Sequence, residues 1–183
     1  CLRIWITCFS KRKVTLDKEE AKLGLNWLAN FHARFMHAKP DGLWQTGCYW
    51  HLATRQEEWE KMDEGWLKDH AQHLNQRLEA AKYQTIVHGD AKVANFCFSE
   101  GMENAAAVDF QYVGAGCGIK DVTYFLGSCL SAKECELHEE ELLNHYFLQL
   151  QLALKNYSPV IDFKAVELEW RNLYPIAWTD FTR

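Results

Sequence analysis

The stretch richest in reactive side chains reads His88-Gly89-Asp90-Ala91-Lys92-Val93-Ala94-Asn95. A second aspartate, Asp109, follows 14 residues beyond Asn95, at the end of the apolar run Ala105-Ala106-Ala107-Val108. Short strand-like runs lead into both aspartates, so the pattern places two carboxylates and one amide at strand ends. Phosphoryl transfer from ATP asks for little covalent help from a protein. It needs an aligned acceptor hydroxyl and a divalent metal bridging the phosphates. Mg2+ takes hard oxygen ligands in octahedral geometry and keeps several waters, so Asp109 and Asn95, completed by phosphate oxygens, form a sensible shell. Asp90 is then left to orient the acceptor hydroxyl and take its proton. Taken alone, Asp90 would pass for a turn aspartate after Gly89. Its company at matching intervals favours the functional reading.

The run H-G-D-x-x-x-x-N followed by apolar-apolar-D-F resembles the catalytic segment of aminoglycoside phosphotransferases and of choline kinase-like and ecdysteroid kinase-like enzymes. It is also similar to the H-R-D-x-x-x-x-N loop of protein kinases. The resemblance extends from about Leu16 to the C-terminus, through Trp27-Leu28-Ala29-Asn30-Phe31-His32-Ala33 and Trp170-Arg171-Asn172-Leu173-Tyr174. It implies an ATP-dependent small-molecule kinase using ATP and Mg2+, with a small-molecule hydroxyl as acceptor. By position it makes Asp90 the catalytic base and gives Asn95 and Asp109 to metal and nucleotide. Lys92 falls where protein kinases keep a phosphate-contacting lysine. Asp121 corresponds to the aspartate that braces the catalytic loop through backbone hydrogen bonds, and His88 to a supporting core histidine rather than a proton shuttle. Gln111 replaces the glycine of D-F-G, so a flip of that segment is not expected.

The resemblance also implies an N-terminal lobe with a glycine-containing phosphate loop and a lysine paired to a helix glutamate. No segment before His88 has that pattern. The expectation is therefore that residues 1–183 form a single C-terminal lobe, cut at both ends, whose nucleotide-binding lobe lies in cis. The alternative is a catalytically incomplete lobe acting as a binding or interaction module. A metallophosphoesterase is a more distant reading, because the histidines after the site, His138 and His145, both fall in helical sequence.

The elements that must position these residues read as α+β, mostly helical: a protein-kinase-like C-terminal lobe with short strands around the catalytic loop. A buried helix is expected from Asp17 to about Ala38, with Asp17 and Glu20 at capping-box spacing and a stripe of Ala21, Leu25, Leu28 and Phe35 widened by Trp27, Phe31 and Met36. An amphipathic helix is expected from about Gln56 to Ala81. Strands are expected at Tyr83 to Val87, Phe96 to Phe98 and Ala105 to Val108, then helices at about 120 to 130, 134 to 154 and 162 to 181. The glycine-rich run Gly114 to Gly118 reads as a flexible turn rather than a phosphate cradle. His70 and His73, three apart, read as an ordinary helix pair, and Cys97 and Cys117 as small buried residues.

On the final helix Trp170, Tyr174 and Trp178 recur every four residues and share one face, with Glu167 and Asp180 nearby. In the kinases the chain resembles, C-terminal helices help to enclose a cationic acceptor. The stripe is therefore either an aromatic cage for a cationic alcohol or, as is commoner at helical spacing, core. A cage needs rings lining an open cleft within reach of Asp90.

Composition narrows the classes. Net charge is -5 and no basic run exceeds Lys11-Arg12-Lys13, which argues against nucleic acid as partner. No apolar run approaches the roughly 20 residues of a membrane span. The seven cysteines contain no C-x-x-C pair and read as reduced thiols of a cytoplasmic protein.

Overall fold

The computed structural model describes residues 9–182. The first helix, α1 (Lys18–Arg34), starts on the capping box that the spacing predicts: Asp17 Oδ1 accepts from the Glu20 N–H at 2.9 Å, and Glu20 Oε2 accepts from the Asp17 N–H at 3.1 Å. It stops four residues short of Ala38. Phe35 caps it, and His37 takes a left-handed φ of 60° while its N–H donates to Gln84 O at 2.9 Å, which turns the chain toward the strands. Its innermost face is Ala21, Gly24, Leu25, Leu28, Ala29, His32 and Ala33; Phe35 lies at the surface instead. Trp27 and Phe31 leave that stripe to stack on each other at 4.9 Å beside the strand ends.

The long amphipathic helix expected from Gln56 to Ala81 is two helices, α2 (Gln56–Lys61) and α3 (Trp66–Glu79). Gly65 interrupts the periodicity as N-cap of α3. Lys68 Nζ donates to Glu60 O and Met62 O, taking up carbonyls that the end of α2 leaves open. Three further helices follow the strands: α4 (Ile119–Cys129), α5 (Ala132–Tyr157) and α6 (Phe163–Phe181). The Ser131–Glu134 capping box starts α5 ahead of the expected position.

Two small antiparallel sheets sit among the helices. β1 (Thr85–Val87) pairs with β4 (Gly114–Gly116), and β2 (Phe96–Phe98) pairs with β3 (Ala105–Ala107). The flexible turn expected at Gly114 to Gly118 is thus corrected: its first three residues are a strand, because β1 needs a ladder partner and small residues admit a close neighbour. A Cβ on Gly114 would lie 2.2 Å from Trp44 O. That neighbour is a strap, residues 44 to 50. Its backbone bonds to Val113 and Ala115, and Tyr49 N–H donates to Gly89 O at 2.8 Å.

α1 packs along α5, and α6 packs against α3 and α4. Leu25, Leu28, Phe96, Phe125, Leu142, Tyr146 and Trp170 form the centre of one core. Among the described residues no helix is long and apolar enough to cross a membrane. The layout is mostly helical with few short antiparallel strands, as α+β predicts.

Gly118, just before α4, is where this packing has least slack: a Cβ there would meet Trp170 Cη2 at 2.6 Å and His32 Nδ1 at 2.8 Å. Gly118→Ala should lower stability by about 1–3 kcal/mol through overpacking. Urea unfolding should show the loss as a lower midpoint with an unchanged slope.

Candidate functional site

β1 runs out at Val87 and hands His88, Gly89 and Asp90 to a turn that has no ladder to hold it. A buried carboxylate does so instead. Asp121, on the first turn of α4 and 3% exposed, accepts from the His88 N–H at 2.6 Å through Oδ2 and from the Gly89 N–H at 3.0 Å through Oδ1. His32 Nε2 donates to the same Oδ2 at 3.1 Å, and His32 Nδ1 meets the Tyr146 hydroxyl at 2.8 Å. Burial opposes the charge on Asp121. The His32 bond, the attraction of both imidazoles and the His88 N–H outweigh it, so the carboxyl sits below the usual aspartate range.

Gly89 takes φ 81°, and a Cβ there would lie 2.2 Å from Tyr112 O, so the turn requires glycine on both counts. His88 Nε2 donates to Val108 O at 2.9 Å, and its Nδ1 accepts the Asp90 N–H at 3.3 Å. Both ring nitrogens are occupied in tying the two strand ends together, a supporting job.

Asp90 is 1% exposed. Its Oδ2 receives Lys92 Nζ at 2.9 Å and Asn95 Nδ2 at 2.9 Å, while Asn95 Nδ2 also donates to Asp90 O at 2.8 Å. Oδ1, equally buried, accepts no hydrogen bond within 3.5 Å, although the Tyr124 hydroxyl is near enough to interact with the Asp90 carboxylate. The bond to Asp90 raises the Lys92 pKa, against a smaller effect of burial. A single 3-10 turn, Val93 to Asn95, carries the amide into place, anchored by Val93 N–H to Ser128 Oγ at 2.8 Å. Because both donated bonds leave from Nδ2, the carbonyl oxygen of Asn95 is left for a cation. Asn95 O accepts the Val108 N–H at 2.9 Å, which sets the following residue, Asp109, beside the loop. Asp109 is exposed, has a left-handed φ of 64°, and is close enough to support the Lys92 charge. A non-glycine residue there is uncommon and costs of order 1–3 kcal/mol.

Among the described residues no three His, Cys, Asp or Glu side chains converge as a metal site. His70 instead stacks on Trp66 at 4.4 Å and bonds to Trp66 O.

The aromatic stripe of α6 lies away from this cleft, which corrects the cage reading. Trp170 is fully buried, donates to Tyr83 O at 3.0 Å and stacks on Tyr146. Tyr174 is buried, with its hydroxyl toward Glu139. Trp178 borders a surface hollow with Glu136 and Glu139 at the start of α5, a hollow that no residue of the His88 to Asn95 loop lines. The reason is positional: the face carrying the stripe is the one α6 turns to the core and to α5, while Ala177 and Asp180 on its other flank share a slot with Gly89. Around Asp90 the strap supplies rings in place of the stripe. Tyr49 stacks on Tyr124 at 5.3 Å and lies 6.0 Å from Tyr112. Tyr124 is shifted above the usual phenol range, first by burial and then by Tyr49 and Asp90.

Sequence reasoning gave no site role to His32, Tyr49 or Tyr124. His32 alone carried a signal, as a polar residue four after Leu28 on the buried stripe.

Fold and site together describe a mostly helical α+β protein with an H-G-D-x-x-x-x-N loop braced by a buried aspartate and facing a second aspartate. Residues 44–158 match the model of the ecdysteroid kinase-like family, and the chain belongs to that family. No curated protein matches it. Membership makes this a kinase-like enzyme.

Asp121→Asn, which keeps the shape but removes the charge, should cost about 3–5 kcal/mol at pH 7. Since the folded carboxyl is depressed, its contribution is complete above the unfolded value of about 3.9 and is lost as pH falls through the folded value. The gap between wild type and variant in urea unfolding should therefore be constant near neutrality and close as pH drops below about 4.

Proposed function

We propose that this lobe transfers the γ-phosphoryl group of ATP to a hydroxyl of a small-molecule acceptor, with a nucleotide-binding N-terminal lobe in cis closing over it. The observation that carries the reading is the unequal use of the Asp90 carboxylate: Oδ2 is held by Lys92 and Asn95, and Oδ1 is buried without a partner. An unpaired carboxylate oxygen is costly to bury. Such a cost is expected where a hydroxyl is to be received.

In this reading Asp90 Oδ1 accepts the hydroxyl proton as the acceptor oxygen bonds to phosphorus and the bond to the ADP oxygen breaks. Lys92 holds the other oxygen, so the carboxylate cannot rotate away, and its ammonium supplies charge toward the transferring group. The donor set suits Mg2+: one exposed carboxylate at Asp109 and one amide oxygen at Asn95, with no group of three or more His, Cys, Asp or Glu side chains converging there among the described residues. When bound, Mg2+ neutralises phosphate charge and aligns the reacting phosphorus.

The two aspartates then fail differently when changed. In the protein carrying both lobes, Asp90→Asn should leave ATP affinity intact and lower kcat by about 10²–10⁴-fold, because it removes an interaction of the transition state. Asp109→Ala should abolish metal-dependent nucleotide binding, a ground-state loss. Calorimetric titration with ATP and metal, beside single-turnover rates, separates the two; equal loss of ATP affinity in both variants would contradict the roles.

A further inference from the structure

α4 presents two side chains to the turn that carries Asp90. Asp121, on its first turn, takes the N–H groups of His88 and Gly89. Tyr124, three residues on, lies one turn further along the same face and so meets the next residue of the loop. It borders Gly89, and its hydroxyl is near enough to interact with the Asp90 carboxylate. The ring that carries this hydroxyl is held by two others: Tyr49 stacks on it at 5.3 Å and 29°, and Phe181 of α6 packs on it at 4.6 Å. Tyr49 is in turn fixed to the same turn, since its N–H donates to Gly89 O at 2.8 Å. The Tyr49 hydroxyl is within range of the Tyr124 hydroxyl. An O–H donated from Tyr49 to the Tyr124 oxygen leaves the Tyr124 proton to point at Asp90.

Which oxygen of Asp90 the phenol addresses follows from the donors already present. Oδ2 accepts from both Lys92 Nζ and Asn95 Nδ2 at 2.9 Å, which uses its two lone pairs. Oδ1 is left for Tyr124, and it accepts no hydrogen bond within 3.5 Å. A donor and an acceptor thus face each other with the bond between them unmade. A single hydroxyl oxygen satisfies both, because it donates one proton and has two lone pairs, one to accept from the phenol and one to turn toward phosphorus.

We propose that Tyr124 positions the acceptor: the acceptor oxygen is received between Asp90 Oδ1 and the Tyr124 hydroxyl, donating to the first and accepting from the second. The inference rests on the kinase reading for the meaning of acceptor. It restricts the acceptor atom to one that carries both a proton and two lone pairs, as an alcohol or a water does. A protonated amine has no lone pair to offer the phenol, and a neutral amine needs its single pair for phosphorus.

The test uses the protein carrying both lobes, with water as the probe acceptor, in single-turnover hydrolysis of radiolabelled ATP with Mg2+. Tyr124→Phe keeps the ring between Tyr49 and Phe181 and removes only the hydroxyl. It should slow hydrolysis about tenfold, the scale of one hydrogen bond, with ATP affinity and the urea midpoint unchanged. Asp90→Asn combined with Tyr124→Phe should be no slower than Asp90→Asn alone, because both groups act on one oxygen, whereas a merely structural loss would multiply with it. In this chain by itself, the NMR resonance of the Tyr124 ring carbon that bears the hydroxyl should move in Asp90→Asn. An undiminished rate in Tyr124→Phe overturns the inference, as does full multiplication of the two losses, a loss that comes with weaker ATP binding, or a Tyr124 resonance indifferent to Asp90. A wild type that hydrolyses no ATP sinks the kinase reading, and this role of Tyr124 with it. A wild type that turns over, is slowed by Asp90→Asn and is untouched by Tyr124→Phe leaves the kinase reading standing and sinks this inference alone.

Discussion

Asp121 carries a negative charge in a place from which water is almost wholly excluded, and the geometry of the candidate site depends on how that charge is satisfied. Moving a carboxylate out of water costs several kcal/mol even after relaxation. Here three donors meet it: the backbone N–H groups of His88 and Gly89 and the ring of His32. Two of these belong to the turn that presents Asp90. The third belongs to α1, whose His32 is itself tied to Tyr146 of α5. One buried carboxylate thus joins three helices and a strand end, and the turn that carries Asp90 is held by electrostatics rather than by a sheet.

The consequences spread outward from that turn. Held at Gly89, the loop lets His88 bridge to Val108 and Asn95 accept the Val108 N–H, so the two strand ends are locked at a fixed separation. Asp90 and Asp109 then face the same region while differing in environment. Asp90 is buried, with one oxygen fixed and one unpartnered; Asp109 is exposed and in a left-handed conformation. The strap of residues 44 to 50 closes the other side, bonding to β4 and to Gly89 and bringing Tyr49 against Tyr124.

The amino-acid sequence by itself determined whatever depends on local spacing. The capping box of α1, the strands around Asp90 and Asp109, and the five-residue interval from Asp90 to Asn95 follow from neighbours along the chain, which is why they could be read before any fold was known. The same information was insufficient wherever a residue's partner is distant. Gly114 to Gly116 has no strand-like side chains, and becomes a strand because β1 and the strap flank it. Trp170, Tyr174 and Trp178 have one periodicity whether they line a cleft or a core, and only the packing of α6 on its neighbours decides that they leave the cleft to Ala177 and Asp180. His32 is only a helix histidine in the sequence. It becomes part of the brace that holds the Asp90 turn, because burial and long-range electrostatics are properties of assembled surfaces, which no short stretch of chain contains.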